Sequence, residues 1–237
     1  YWALTVGRLP GTEGPGYNLR NGAARMSTYP ALLVNALGDG GVVTFKPYTD
    51  AALRVGFAKV YQPLYIDSNS GGGSIFSETG ASNQADMNLM FAAFETPFLP
   101  KSAGKSLLML SYMYISNYSV PNELLAQKAG AAYDTLLNML NGDATNIGDL
   151  QYANIHLENF NLAGSGFNWF ASFTWANGTN SHNAVPSMFE SAMPQTALFN
   201  GQGSYALHVG ARYDFGSHFK LGYEYFHGSK NGMPSHA

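Results

Sequence analysis

The sequence predicts an all-β chain folded as an antiparallel transmembrane β-barrel, and three observations lead to this fold class. Charge is scarce, because Asp, Glu, Lys and Arg make up 11% of the 237 residues, against about 25% in a typical soluble domain. Glycine is abundant, with 27 residues, and the aromatic share is 14%. Apolar residues also recur at every second position over segments of about ten residues, which is the period of a β-strand with one apolar face.

The composition excludes several other classes. A disordered chain has few aromatic residues and a high net charge, whereas this chain has a net charge of −3 with 15 Phe and 15 Tyr. Domains that bind nucleic acid are normally basic, so no nucleic-acid partner is expected. A membrane-spanning helix needs about 20 apolar residues in succession, and the longest unbroken apolar runs here are about five residues.

About nine strands are predicted along the chain. Shorter strands are expected at 1–8 and 41–46, and alternating apolar rows begin at Leu53, Met87, Leu108, Ala153, Phe167, Tyr205 and Phe219. The clearest row runs from Tyr205 to Phe215 and resumes at Phe219 after Gly216 and Ser217. Two strands joined by so short a glycine-containing turn form a hairpin.

The predicted connections alternate in length. The segments at about 47–50, 163–166 and 216–217 are short, whereas 9–40, 62–82, 117–147 and 178–203 are long. Outer-membrane barrels have short turns at one end and long loops at the other, and a soluble sandwich has no such rhythm. Residues 1–237 are therefore interpreted as part of a single barrel domain. Because barrels of this type usually have an even number of strands, nine suggests that the chain is a portion of a larger barrel.

One long connection is predicted to contain a helix over about 121–140. Its apolar stripe consists of Leu125, Ala129, Ala132, Leu136 and Leu140, at spacings of three and four residues, as on one face of a helix. A helix packed on the barrel rim is the favoured interpretation, and a helix that plugs or lids the barrel is the alternative. A second, shorter helix is expected within 24–37.

In a barrel, the two alternating faces of each strand meet water and lipid respectively. The predicted pore-lining residues are Arg54, Asn88, His156, Glu158, His208, Arg212, Asp214, Lys220 and Glu224. Tyr and Trp are enriched where a membrane meets water, and the predicted membrane-girdle residues are Trp169, Trp175, Tyr205, Phe215, Tyr223 and Tyr225. Two charges, Lys59 and Glu95, are in phase with apolar rows near predicted strand ends.

The motifs favour no enzyme and no cofactor. With no cysteine, the chain cannot form a disulfide, a thiolate metal site or a covalent haem attachment. His156 and His208 lie on polar faces, but their separation in sequence gives no metal-binding motif. Asp67, Asn69 and Glu78 have part of the spacing of a calcium loop. Because position five of that loop would be Gly71, a solvated loop is the favoured interpretation.

The N-terminal part of the chain resembles a domain-of-unknown-function family of predicted Gram-negative outer-membrane porins. The stretches that carry the likeness are Thr5–Pro10, Gly14–Gly16, Tyr29–Leu33 and Gly40–Val43, and it is strongest over about 1–60. The resemblance implies a barrel in the bacterial outer membrane, with the lipid bilayer and lipopolysaccharide as partners. Such barrels generally end on a strand with a terminal aromatic residue, whereas this chain ends Pro234-Ser235-His236-Ala237, again as expected of a portion of a longer protein.

Three functions are compatible with these features. The first is a porin for passive passage of small hydrophilic solutes, as a single chain or a homo-oligomer. The second is a barrel that sheathes a separate multihaem cytochrome in a porin–cytochrome electron conduit. The third is an outer-membrane enzyme or a gated, specific transporter. The first is the favoured hypothesis, because no catalytic motif is recognisable.

Overall fold

A computed structural model describes residues 1–10, 37–60, 87–121, 144–180 and 201–229. These residues form nine β-strands: β1 (Trp2–Pro10), β2 (Leu37–Tyr48), β3 (Ala51–Val60), β4 (Met87–Thr96), β5 (Lys105–Pro121), β6 (Ala144–Phe160), β7 (Phe167–Asn180), β8 (Ser204–Phe215) and β9 (Phe219–Gly228). The prediction of about nine strands is confirmed. The described residues contain no helix that is both long enough and apolar enough to cross a membrane.

The nine strands form one antiparallel sheet in the order of the chain, from β1 to β9. Each strand therefore pairs with its neighbours in sequence, as the hairpin patterns predict. Among the described residues β1 and β9 lie at opposite edges and do not pair. The sheet is thus open, so the all-β antiparallel class is confirmed but a closed barrel is not shown.

Short and long connections alternate along this sheet. The short ones are 49–50, 97–104, 161–166 and 216–218, all at one end of the sheet. The longer segments connect the strand ends at the opposite end of the sheet. The alternation agrees with the sequence-based prediction. The predicted helices within 122–140 and 24–36 lie outside the described residues, as do Asp67, Asn69 and Glu78.

Strands β5 and β6 are longer than predicted, at 17 residues each. They extend into the segment 117–147, and residue 121, expected to begin a helix, is the last residue of β5. A bulge in their pairing near Tyr118 explains why the alternation fades there. Asn117 adopts a left-handed backbone with φ of 58°, and its N–H donates to Asp149 Oδ1 at 3.0 Å.

The turn between β6 and β7 is held by asparagine side chains. Asn161 and Ala163 both have positive φ angles, of 56° and 49°. The side chain of Asn161 accepts from Gly166 N at 3.0 Å, and the backbone N–H of Asn161 donates to Asn168 Oδ1 at 3.0 Å. Asn tolerates this region of backbone space better than other non-glycine residues, which allows a tight reversal here.

Candidate functional site

The strand register assigns every described side chain to one of two faces. Residues directly opposite each other in an antiparallel pair point to the same side of the sheet. Arg54 lies opposite Thr44 on β2 and Ala93 on β4, whereas Val55 lies opposite Val43 and Ala92. We call the side of Arg54 the polar face and the side of Val55 the apolar face.

The apolar face exposes large hydrophobic side chains on all nine strands. Twenty of them are at least 39% exposed: Trp2, Leu4, Val6, Val43, Leu53, Val55, Phe57, Met90, Leu110, Tyr112, Ile155, Phe173, Trp175, Tyr205, Tyr213, Phe215, Phe219, Leu221, Tyr223 and Tyr225. Five of the six predicted girdle residues are in this set. The sixth, Trp169, also lies on the apolar face, opposite Ala211, and its ring contacts Phe98 edge-on at 6.2 Å.

The polar face carries most of the charged and hydrogen-bonding side chains of the strands. Its members are Arg54, Glu95, Ser111, Asn154, His156, Glu158, Asn168, Ser172, Thr174, His208, Arg212, Asp214, Lys220 and Glu224. Several are buried, including His156 at 0% and Glu158 at 4% exposed. Apolar residues from β4 to β6 complete this face, among them the buried Leu89, Met109 and Leu150. Eight of the nine predicted pore-lining residues therefore share one face, although their role in a pore stays a prediction.

Asn88 is the exception, and its predicted place with the other polar residues is wrong. It lies opposite Lys59 and Ser116, on the apolar face, while Leu89 and Phe91 point to the polar face. Both faces of β4 are largely apolar, so alternation along this strand did not show which row faced which side. For the same reason Glu95, expected in phase with an outward apolar row, lies on the polar face, with its Oε1 2.7 Å from Arg54 Nη1.

A second ion pair, between Arg212 and Asp214, lies near the short-turn end of the polar face. The guanidinium of Arg212 donates from Nε to Asp214 Oδ1 at 2.7 Å and from Nη2 to Oδ2 at 3.0 Å. Asn168 Nδ2 donates to the same carboxylate at 3.2 Å, and Lys220 lies directly opposite Asp214 on β9. Because two side-by-side bonds fix both groups, the sheet holds this pair of charges in one orientation.

Two histidine–glutamate pairs flank a phenylalanine further along the polar face. His156 Nε2 lies 3.2 Å from Glu158 Oε2, and His208 Nε2 lies 3.3 Å from Glu224 Oε2. The ring of Phe170 is 6.2 Å from that of His156 and 4.7 Å from that of His208. Both pairs are within hydrogen-bonding reach, and the charge on each imidazole depends on its protonation.

Two glycines of the polar face provide room for phenylalanine rings on the neighbouring strand. A Cβ at Gly210 would lie 2.4 Å from Phe170 Cε1, and a Cβ at Gly56 would lie 2.3 Å from Phe91 Cε1. In both cases the phenylalanine and the glycine are directly opposite in the register. Each ring therefore lies across the adjacent strand, an aromatic–glycine pairing that supports the sheet. The sequence showed the glycines but not these partners.

Hydrogen bonds on the polar face also connect its central strands. The side-chain amide of Asn154 lies 2.7 Å from Thr174 Oγ1, 3.1 Å from Ser172 Oγ and 3.0 Å from the carbonyl of Phe173. In the described part of the chain, no group of three or more His, Asp or Glu side chains could hold a metal ion. The described part of this face offers fixed charges and hydrogen-bonding groups.

Comparison with known proteins gives a family but no activity. The family model of DUF3373, described as a protein of unknown function, matches residues 1–237. The chain therefore belongs to this family. Because the family description gives no function, the porin character implied by the resemblance stays a prediction. No curated protein and no solved structure matches the chain.

Proposed function

We propose that this member of DUF3373 is an outer-membrane β-barrel protein that lets small hydrophilic solutes cross passively. The observation that carries the proposal is the division of one sheet into two unlike faces. Monomeric soluble proteins rarely expose contiguous apolar patches above a few hundred Å², yet here large apolar side chains are exposed on all nine strands. Lipid is the surrounding in which such a face is favourable.

The polar face suits the interior of such a barrel. Buried charges are costly unless they are paired, and this face holds the pairs Arg54–Glu95 and Arg212–Asp214. Fixed charges of both signs along a water-filled path create local fields that favour polar solutes and tune ion selectivity. The proposal also requires partners for the edges of β1 and β9, because an unpaired strand edge is not tolerated in hydrocarbon.

Conductance measurements on the full chain test this proposal. Protein inserted into planar lipid bilayers is expected to give discrete single-channel steps, and liposomes containing it are expected to swell faster with small sugars than with large ones. Flotation with the vesicles provides an independent check that the protein has entered the membrane. Membrane-inserted protein with no conductance above that of protein-free lipid would contradict passage, whereas failure to associate with vesicles would contradict the membrane location itself.

A further inference from the structure

Charged side chains are distributed unevenly along the polar face. At the short-turn end, where β5 and β9 begin, this face carries three cations and one carboxylate: Lys105, Arg212, Lys220 and Asp214. Lys105 belongs to the polar face because it lies four positions before Met109 on β5. This end of the face therefore has an excess of two positive charges.

The excess positive charge lies on the two lysines. The guanidinium of Arg212 is bound to the carboxylate of Asp214. Within the described ranges, neither Lys105 nor Lys220 makes an ion pair. Both lysines are exposed, so two ammonium groups at this end of the face are accessible to solutes.

Further from the short turns the excess charge of the polar face changes sign. Glu158 and Glu224 share one cross-strand row of the register. On β9, Glu224 lies four positions beyond Lys220, about 14 Å along the strand. The next pair of charges, Arg54 and Glu95, offset each other. With the neighbouring imidazoles neutral, this part of the face has two excess negative charges.

The long connections add negative charge at the end of the sheet opposite the short turns. The segments 11–36, 61–86, 122–143 and 181–200 contain eight Asp or Glu residues and three Lys or Arg residues. All four are attached to strand ends on that side. Their net charge of −5 therefore has the sign of the glutamate row and is opposite to the charge of the short-turn end.

We propose that the short-turn end of the polar face is an entrance that concentrates small anions, whereas the opposite end concentrates cations. Clefts lined by one sign of charge raise the local concentration of the counter-ion, and charged side chains along a path determine which ions it admits. This inference rests on the proposed function and adds a direction to it, because the class of solute that is favoured differs between the two ends.

Opposite charges at the two ends of one path make the current depend on the polarity of the voltage. When the short-turn side is negative, anions enter from the end that concentrates them and cations enter from the other end, so the path fills with ions. The reverse polarity draws both ions out of the path and lowers the current. The two ends act separately, because β9 has ten residues, which span about 30 Å, whereas the Debye length is about 10 Å at 0.1 M salt.

Current–voltage curves of single channels formed by the full chain test this inference. The sequence contains no cysteine, so Ser217→Cys, in the exposed β8–β9 turn, reports the orientation by reacting with a membrane-impermeant maleimide from one side only. At 0.1 M salt the current should be larger when the short-turn side is negative. At 1 M salt, where the Debye length falls to about 3 Å, the two polarities should give nearly equal currents.

Two variants locate the charges that cause the asymmetry. Lys105→Gln/Lys220→Gln removes the excess positive charge and should abolish most of the asymmetry, and Lys220→Gln alone should lose part of it. Both side chains are exposed, so we expect these variants to fold. Lys59→Gln is the matched control for Lys220→Gln. It removes one positive charge from the apolar face near the long connections and should keep the asymmetry.

The outcomes separate this inference from the proposed function. Asymmetric currents that become symmetric in Lys105→Gln/Lys220→Gln but not in Lys59→Gln support the anion-concentrating entrance. Channels with equal currents at both polarities in 0.1 M salt, or with the larger current when the short-turn side is positive, would overturn it while leaving passive passage intact. An asymmetry that the double variant keeps would also overturn it. Membrane-inserted protein without channels would contradict the proposed function itself.

Discussion

Arg54 on β3 and Glu95 on β4 form an ion pair between two neighbouring strands, with Nη1 2.7 Å from Oε1 and each side chain 18% exposed. On the polar face Arg54 lies opposite Thr44 and Ala93, and the low exposure of both charged side chains limits their hydration. Each charge therefore depends on the other for its stabilisation.

Removing Glu95 should destabilise the sheet. Glu95→Gln leaves Arg54, whose side chain is only 18% exposed, without this counter-charge, and we expect a loss of about 1–3 kcal/mol in the free energy of unfolding. Urea unfolding in detergent, followed by tryptophan fluorescence, measures it. The matched control is Lys101→Gln, because Lys101 and Asp50 form a 3.7 Å pair with side chains 93% and 55% exposed. Such surface pairs contribute little, so equal losses in the two variants would contradict the prediction.

The second prediction concerns the glycine beneath Phe170. Gly210→Ala places a Cβ 2.4 Å from the ring, and the resulting overpacking should cost about 1–3 kcal/mol. Shortening the neighbour in the double variant Gly210→Ala/Phe170→Leu should restore part of that loss. Gly41→Ala is the control, because the nearest atom to its Cβ would be 3.6 Å away. If Gly210→Ala and Gly41→Ala unfold at the same urea concentration, the ring does not need the glycine.

The third prediction concerns the bulge of the β5–β6 hairpin. At Asn117 the φ angle of 58° is unfavourable for a β-branched residue. Asn117→Val should therefore destabilise the protein more than Asn117→Gly, by about 1–2 kcal/mol. Both variants lose the 3.1 Å bond from Asn146 Nδ2 to Asn117 Oδ1, so their difference isolates the backbone. The same urea titration measures the difference in the free energy of unfolding between the two variants. A valine variant as stable as the glycine variant would contradict the left-handed backbone at Asn117.

The sequence predicted most of this architecture where one face of a strand is clearly polar. The alternation from Tyr205 to Phe215 and its return at Phe219 identified β8, β9 and their hairpin turn. It also gave the correct face for His208, Arg212 and Asp214. On β4 it failed, because Leu89 and Phe91 on one side match Met90 and Phe94 on the other. Which residues of such a strand lie on which face depends on the neighbouring strands. For β4 it is settled by the register with β3, where Arg54 pairs with a residue of β4.

The candidate site was predictable to a similar extent. The members of the polar face follow from period-two alternation, but their partners depend on three-dimensional contacts between strands. Phe170 illustrates this, because its neighbours His208 and Gly210 are about forty residues away in sequence. The pairing of Arg212 with Asp214, by contrast, joins residues two positions apart on one strand. That spacing places both on the same face and could have been read from the sequence.

The last prediction links the polar face to passage of ions. Arg212 holds a fixed positive charge beside Asp214, and fixed charges along a pore set its preference for anions or cations. If this face lines a pore, Arg212→Gln should shift the reversal potential in a salt gradient toward that of a cation-selective channel, because the carboxylate loses its counter-charge. Asp214→Asn should shift it the opposite way.

Lys101→Gln, far more exposed and in a turn, controls for net charge. Because each of the two variants breaks the Arg212–Asp214 pair, we expect both to be less stable, so the comparison uses the sign of the shift in channels that still open. Shifts of the same sign in both variants, or a shift as large for Lys101→Gln, would show that the pair does not face the conducting path.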